Sequence, residues 1–562
     1  MNKTLRTHNP ALFIFLAILF GVVRTLVSYS GFGYEDQVEQ LPLIYRSFDS
    51  SYLQNDFFVN AALESAARTN YIRFIRLFTD SPENLPMLFF IFTLILNAAI
   101  SLVTFLTGRT LFSSGLFSSG PNRSIPFRSN LAALTAAALV MLIPTFHLGA
   151  SPHLFVTYFI PSSLAAPLML LTVMLALQKR IAWAMLSGGA ASLIHPLFGL
   201  ETMALVLFAW LVSILLQKEQ LQNRNLPTLS LHNLALKLIV PALLFTVFAL
   251  LSILPQLNQP FQLDTKQFIH ILGHFRHPHH YIPGSFPATH YLLFLAFLFA
   301  FSYAWYALKK NIENYHRHFI LLLNLSILAA CIAGYLFVEI VPLRLAAMAQ
   351  TFRLLYLFKW TGMIFFAGFM VQYLTEKQAR KGFNLAAGAM IVLFVAALFA
   401  KGLNTPESPK QFSGNRSEAF LKTLLSGEII STPNEQAAEI AAFAQQYTPP
   451  DAVFLTPHNF GFFRLSAERA IVADFKSFPF TDQAMLEWYE RINNCYGSPE
   501  PLNRSGFENE PLMTANYTAI DDAKLKELQL QYNFTHAVLF TKTATRYETL
   551  FSNEKYKIIS FQ

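Results

Sequence analysis

Residues 1–402 alternate between long apolar runs and short polar segments. Apolar windows lie near 11–29, 86–107, 130–147, 154–177, 181–198, 200–216, 235–254, 288–308, 319–338, 354–375 and 384–402. Each approaches the ~20 residues that a helix needs to cross a bilayer. The pattern predicts a polytopic α-helical membrane protein of about 11 transmembrane helices. The first run follows Met1-Asn-Lys-Thr-Leu-Arg6 and no small-residue cleavage site stands out, so it is expected to stay as the first helix.

Two polar stretches between apolar windows are long, at 30–85 and 255–288. From 403 to 562 the pattern changes: charges and turn residues return and the apolar runs shorten. Helical periodicity near 416–425, 434–446, 481–493 and 521–530 alternates with β-like runs from Ala452, Ala470, His536 and Tyr556, which predicts a small α/β domain. It has no glycine-rich phosphate loop.

Composition agrees with a membrane chain. Of the 562 residues, 54% are hydrophobic and only 13% charged, with mean hydropathy +0.39, against about 25% charge in soluble domains. The net charge is +8, but no basic run carries interleaved aromatics, so no nucleic-acid partner is expected. The two cysteines, Cys331 and Cys495, can form neither a disulfide framework nor a metal cluster.

Charge also sets the expected orientation. With the N-terminus cytoplasmic, the segments carrying Lys3 and Arg6, then Arg109, Arg123 and Arg128, Lys179 and Arg180, Lys218 and Arg224, Lys309, Lys310 and Arg317, and finally Lys377, Arg380 and Lys381 all fall inside. The 403–562 domain is then extracytoplasmic. That assignment leaves cations on the disfavoured side: Arg46, Arg68, Arg73 and Arg76, Lys266 and Arg276, and Arg344, Arg353 and Lys359. A lipid-linked phosphate would account for them, because the arginine fork matches phosphate oxygens. Snorkelling or pairing with local acids is the plainer explanation.

Four groupings carry candidate chemistry. Glu35 and Asp36 are adjacent carboxylates just past the first apolar run, one suited to accept a proton while the other binds a metal or holds the geometry. Phe275-Arg276-His277-Pro278-His279-His280-Tyr281, preceded by His270 and His274, offers hydrogen-bonding rings beside an arginine; the i, i+4 spacing of His270 and His274 suits metal ligands, but no His-Glu-x-x-His pattern accompanies it. His153, His195 and Glu201 fall at helix ends on the same side, where ionisable groups are costly and point to function. Gln350 and Arg353, three residues apart, share a face if helical, with Lys359 deeper in the same apolar window.

An acidic pair in the first outer loop, many helices, outward cations on late helices and a C-terminal α/β domain together resemble the GT-C superfamily of integral-membrane glycosyltransferases, which use polyprenyl-phosphate-linked sugars. Arg276-His-Pro-His-His-Tyr281, Gln350-Thr-Phe-Arg353 and Ala473-Asp-Phe-Lys-Ser-Phe-Pro-Phe480 are similar to a bacterial subfamily with no assigned reaction. The apolar pattern and the charge alternation predict a transmembrane domain over 1–402 and an extracytoplasmic domain over 403–562, and the resemblance implies residence in a bacterial inner membrane. It implies Glu35 or Asp36 as the catalytic acid. Arg353, with Arg276, Arg344 and Lys359, would meet the donor phosphate, and His277, His279, His280, Tyr281 and Gln350 the substrate. The segment Leu148–His153 offers no second acidic motif, so a divalent metal is not supported there; if one binds, His153 or His195 would complete its shell with Glu35 or Asp36.

The expected activity is transfer of a sugar from a polyprenyl-phosphate donor to a glycan, lipid or protein acceptor at the outer face. The alternative is a transporter or flippase of a lipid-linked glycan, which commonly shows related halves with matching broken helices; no such symmetry is visible.

Overall fold

The computed structural model describes residues 10–33, 35–64, 66–113, 125–222, 231–257, 262–375, 432–497 and 506–561. Seven helical stretches are long and apolar enough to cross a membrane: Pro10–Ser28, Pro82–Phe112, Pro196–Gln217, Leu236–Leu254, Ala288–Asn311, Asn314–Ile340 and Arg344–Leu374. Three shorter apolar helices accompany them, Phe127–Leu142, Pro161–Leu177 and Ile181–Ile194. Ten of the eleven expected windows thus coincide with helices, and the window at 384–402 lies outside the described residues. The chain is a multi-pass membrane protein by the length and composition of these helices.

Close backbone approach binds the bundle. A Cβ on Gly21 would meet the Asn97 carbonyl oxygen at 2.4 Å, so only glycine lets the Pro10–Ser28 helix lie this near Leu85–Phe112. The fully buried Asn97 donates to Thr25 Oγ1 (2.9 Å) and to the Val156 carbonyl (2.8 Å), and accepts from the Val156 amide (2.8 Å). It therefore pins the segment 143–160 to the bundle. That segment is mostly non-helical, contrary to the windows drawn across it: Pro144 and Pro152 interrupt it, and Pro161 begins the next helix at its first position.

The stretch 30–85, expected as a polar loop, is largely helical, at Gln37–Phe48, Phe57–Leu63 and Ala66–Arg76. Leu41, Leu43, Ile44, Phe58, Val59, Ile72 and Ile75 are all buried, so their burial holds these short helices down as a layer on one end of the bundle.

The C-terminal part is a five-stranded sheet with flanking helices. The strands are β1 (Val453–Leu455), β2 (Ala470–Ile471), β3 (His536–Phe540), β4 (Thr549–Ser552) and β5 (Tyr556–Ser560), in the order β2-β1-β3-β5-β4. β2, β1 and β3 are parallel, with Val453 opposite Ala470 and Phe454 opposite His536; β3, β5 and β4 are antiparallel. Helices Glu435–Tyr447, Asp482–Tyr496 and Asp522–Tyr532 fall where periodicity placed them, and the pattern at 416–425 lies outside the described residues. The segments leaving the carboxyl ends of β1 and β2, where open α/β sheets commonly meet ligands, dock on the 30–85 layer. Arg464 makes that junction: Nε donates to Asp56 Oδ2 (2.7 Å), and Nη1 to Asp474 and to Ser477 Oγ (3.0 Å), all four residues being buried.

Candidate functional site

The acid pair sits in a tight turn ahead of the Gln37–Phe48 helix. Gly31 and Gly33 take left-handed backbone (φ 96° and 83°), and so does Glu35 (φ 48°), a conformation that costs a residue with a Cβ about 1–2 kcal/mol. Buried Gln37 holds the turn in place, accepting from the Gly33 amide (2.8 Å) and donating to the Phe159 carbonyl (3.0 Å). Asp36 occupies the cap position of the helix but makes no side-chain cap hydrogen bond. The consequence of the strained turn is that two neighbouring carboxylates face one group: Lys476 Nζ lies 3.1 Å from Glu35 Oε2 and 3.6 Å from Asp36 Oδ1.

Lys476 comes from the segment after β2, and Arg276 from the histidine-rich stretch holds that segment by donating from Nη2 to the Lys476 carbonyl (2.7 Å). The Arg276 guanidinium is buried between the rings of Phe475 and Phe507 (5.1 and 5.0 Å), with Nε and Nη1 unbonded. Residues 270–276 form a π-helical turn, an irregularity frequent at functional sites, which ends at His277. His277, His279 and His280 follow as a contiguous set, the rings of His279 and His280 being 4.1 Å apart. Burial, with the Arg276 charge beside them, pushes His279 down to about 4 and His277 well below its usual range; burial and the neighbouring His279 do the same to His280. At neutral pH these rings are uncharged, able both to donate and to accept. The Nδ1 atoms of His277 and His280 are buried without a protein partner.

Gln350 and Arg353 do not share a helical face as expected. Gln350 is left-handed (φ 49°) and breaks the chain between Arg344–Ala349 and a 3-10 turn at Thr351–Leu354. The break sends Gln350 Nε2 to the Tyr281 hydroxyl, while Arg353 Nη1 lies 3.2 Å from His195 Nε2. Burial raises the Tyr281 phenol to about 12, so it stays a hydroxyl. Arg353 Nε and both carboxylate oxygens of Glu201 are buried and unbonded, near enough for their charges to interact. The Asp36 charge in turn acts on Arg353, Arg276, His279 and Lys476. A polar track thus runs from the acid pair through Lys476, Arg276, the histidines, Tyr281 and Gln350 to Arg353, His195 and Glu201, drawing on five separate parts of the chain.

Several expected roles do not fit the geometry. Arg344 is bound through both arms by Asp482, donates to the Leu263 carbonyl (3.2 Å) and stacks 4.0 Å over Phe268, so its fork ties the late helices to the C-terminal domain. Lys359 is fully buried with Nζ on the carbonyls of Phe146 (3.2 Å) and Pro152 (2.6 Å) and on Ser151 Oγ (3.4 Å), which fastens the 143–160 segment. Both charges are thus taken up by protein partners. His153 Nε2 meets His147 Nε2 (3.0 Å), its ring stacked on Phe155, and His195 turns to Arg353; neither completes a shell with Glu35 or Asp36. His274 is exposed and His270 faces Tyr489, so that spacing makes no metal pair. Of the other misplaced cations, Arg68 pairs with Glu39 (3.9 Å) and Arg76 with Asp80 (3.4 Å), the pairing with local acids that was the plainer explanation, while Arg46 donates to the Tyr52 carbonyl (2.6 Å).

Two residues escaped sequence reasoning. Lys476 lies in the quoted Ala473–Phe480 segment, 440 positions from Asp36, with no local sign of its partner. Glu39 stands in the first turn of the Gln37–Phe48 helix, four residues after Glu35. Burial, and then the Asp36 charge, push its carboxyl up to about 7, against the pull of Arg68, Lys476 and Arg276. The i, i+4 spacing of Glu35 and Glu39 was the available signal.

A domain of unknown function, DUF6798, matches residues 435–495, the segment that holds Arg464, Asp474 and Lys476. No curated protein matches the sequence. Among solved structures, the chain is similar to the archaeal oligosaccharyltransferase AglB from Archaeoglobus fulgidus in complex with an inhibitory peptide and a dolichol-phosphate (12% identity, 94% of this chain and 69% of that one, TM-score 0.49). It is similar to an Archaeoglobus fulgidus oligosaccharyltransferase in complex with Zn and sulfate (12%, 94% and 68%, TM-score 0.41). It is also similar to ArnT from Cupriavidus metallidurans bound to undecaprenyl phosphate (12%, 98% and 97%, TM-score 0.42). At this identity and with TM-scores below 0.5, what these proteins bind stays with them.

Proposed function

We propose that the chain is a glycosyltransferase of the GT-C kind, moving a sugar from a polyprenyl-phosphate donor to an acceptor hydroxyl at the extracytoplasmic face of a bacterial inner membrane. One observation supports the reading: a partly exposed carboxylate pair begins a polar track, and Arg353, with an unbonded Nε, ends it within the apolar stretch Arg344–Leu374. A carboxylate of the pair takes the proton from the acceptor hydroxyl as its oxygen bonds to the anomeric carbon. The bond from that carbon to the phosphate oxygen breaks, its electron pair staying on the phosphate. Arg353 and Arg276 stabilise the departing polyprenyl phosphate, and the neutral His277, His279, His280 and the Tyr281–Gln350 pair bond sugar hydroxyls.

The test compares lipid extracts from cells lacking the gene with extracts after complementation. A polyprenyl-phosphate sugar should accumulate in the deletion strain and be consumed by wild type, but not by Glu35→Ala or Asp36→Ala at equal expression. Full consumption by both variants would remove the proposal.

A further inference from the structure

The acid pair already has a cation, and it comes from the far end of the chain. With Nζ 3.1 Å from Glu35 and 3.6 Å from Asp36, the Lys476 ammonium brings its positive charge between the two carboxylates, the region a divalent ion bonding both at roughly 2.0–2.6 Å would have to enter. The remainder of a metal shell is not assembled around it. Among the described residues no group of three or more His, Cys, Asp or Glu side chains is arranged to hold an ion. The nearby acid Glu39 turns to Arg68 (3.9 Å), and His153 and His195 are engaged by His147 and Arg353.

Lys476 is also fixed from behind. Its carbonyl accepts from Arg276, the next amide, Ser477, donates to Asp474 Oδ1 (2.7 Å), and the preceding amide, Phe475, donates to the His458 carbonyl (2.7 Å). Asp474 is held by Arg464, which also grips Asp56 in the 30–85 layer. The distance from the ammonium to the acids is therefore set by a buried ion network across the domain junction.

We propose that Lys476 is the resident cation of the acid pair, held in the place a divalent metal would take, so that the C-terminal domain completes the site. This deepens the reading above, because it names the cation of that same site, and its test needs no turnover. An ammonium has three N–H donors; Glu35 accepts one (3.1 Å) and Asp36, at 3.6 Å, is an ion-pair partner, which leaves a donor for an oxygen of the bound substrate.

The experiment is a Mn²⁺ titration of purified full-length protein in nanodiscs, read as loss of the free-ion EPR signal. Wild type and the E35Q/D36N variant should give superimposable curves. Lys476→Met should gain uptake in the range of about 0.1–1 mM typical of open carboxylate sites, and K476M/E35Q/D36N should lose it. Uptake by wild type that E35Q/D36N abolishes would overturn the proposal, as would a folded K476M protein that gains none. The first comparison stands without K476M should that variant fail to fold. A chain that transfers no sugar leaves the Mn²⁺ curves as expected here, which separates failure of the two proposals.

Discussion

Arg464→Met isolates the junction that carries Lys476 to the acids. Asp56 and Asp474 are 0% and 1% exposed, and both depend on the Arg464 guanidinium. Methionine keeps an apolar stem beside Phe58, over whose ring the guanidinium now lies at 5.1 Å, but strands two buried carboxylates. Removing one partner from a buried ion pair costs about 3–5 kcal/mol. At 1.4 kcal/mol per factor of ten, the undocked population should rise roughly a hundredfold to a few thousandfold. Pulse proteolysis of the detergent-solubilised protein reads that population through cleavage between 448 and 476. Adding Asp56→Asn and Asp474→Asn to R464M should recover part of the loss, because both stranded charges are removed; recovery is incomplete, since the Val59 and Ile471 amides now donate to different oxygens of Asp56 (3.0 Å each) and Asn keeps only one. An R464M cleavage rate within about threefold of wild type, under half a tenfold step on that scale, would refute the ion-network account of docking.

Glu39→Gln tests the buried carboxyl through pH. Its folded value of about 7 stands above the unfolded value of about 4.5, so the proton it keeps favours the fold below about 4.5, and that contribution is lost as pH rises through 7. The loss amounts to about 3 kcal/mol. Thermal midpoints of wild type and E39Q should therefore nearly agree at pH 4.5 and diverge by pH 8, with E39Q the more stable; a constant difference would contradict the assignment. Lys359→Met should destabilise by about 2–4 kcal/mol, because the Phe146 and Pro152 carbonyls lose a charged donor inside the bundle. Fluorescence-detected size exclusion after heating reads that loss. A melting curve like wild type would return Lys359 to the phosphate-binding candidates.

What the sequence made legible follows from the range of each interaction. Helix positions were readable because apolar runs of bilayer length need no partner to declare themselves. β1, β2, β3 and β5 were readable as short apolar runs between turns, whereas β4 is a mostly exposed edge strand whose Thr549–Ser552 alternation is weak. Glu35, Asp36, Arg276 and Arg353 were visible as charges in costly places. Their neighbours were not: Arg344 and Lys359 looked equally costly, and only coordinates show Asp482 and the 146–152 carbonyls taking them up. Lys476 lies in a polar domain where one lysine attracts no notice, and only the Arg464 network brings it to the acids.

The most direct test of the site is binding of undecaprenyl phosphate, used as the probe for a lipid-linked phosphate, to the purified protein in nanodiscs. Wild type should bind it, and Arg353→Ala should weaken binding by tenfold or more, since losing a buried charge partner costs about 2–5 kcal/mol, while undecaprenol without its phosphate should show no difference between the two proteins. Equal affinity of wild type and R353A for undecaprenyl phosphate would contradict the placement of the donor phosphate and, with it, the proposed direction of transfer along the polar track.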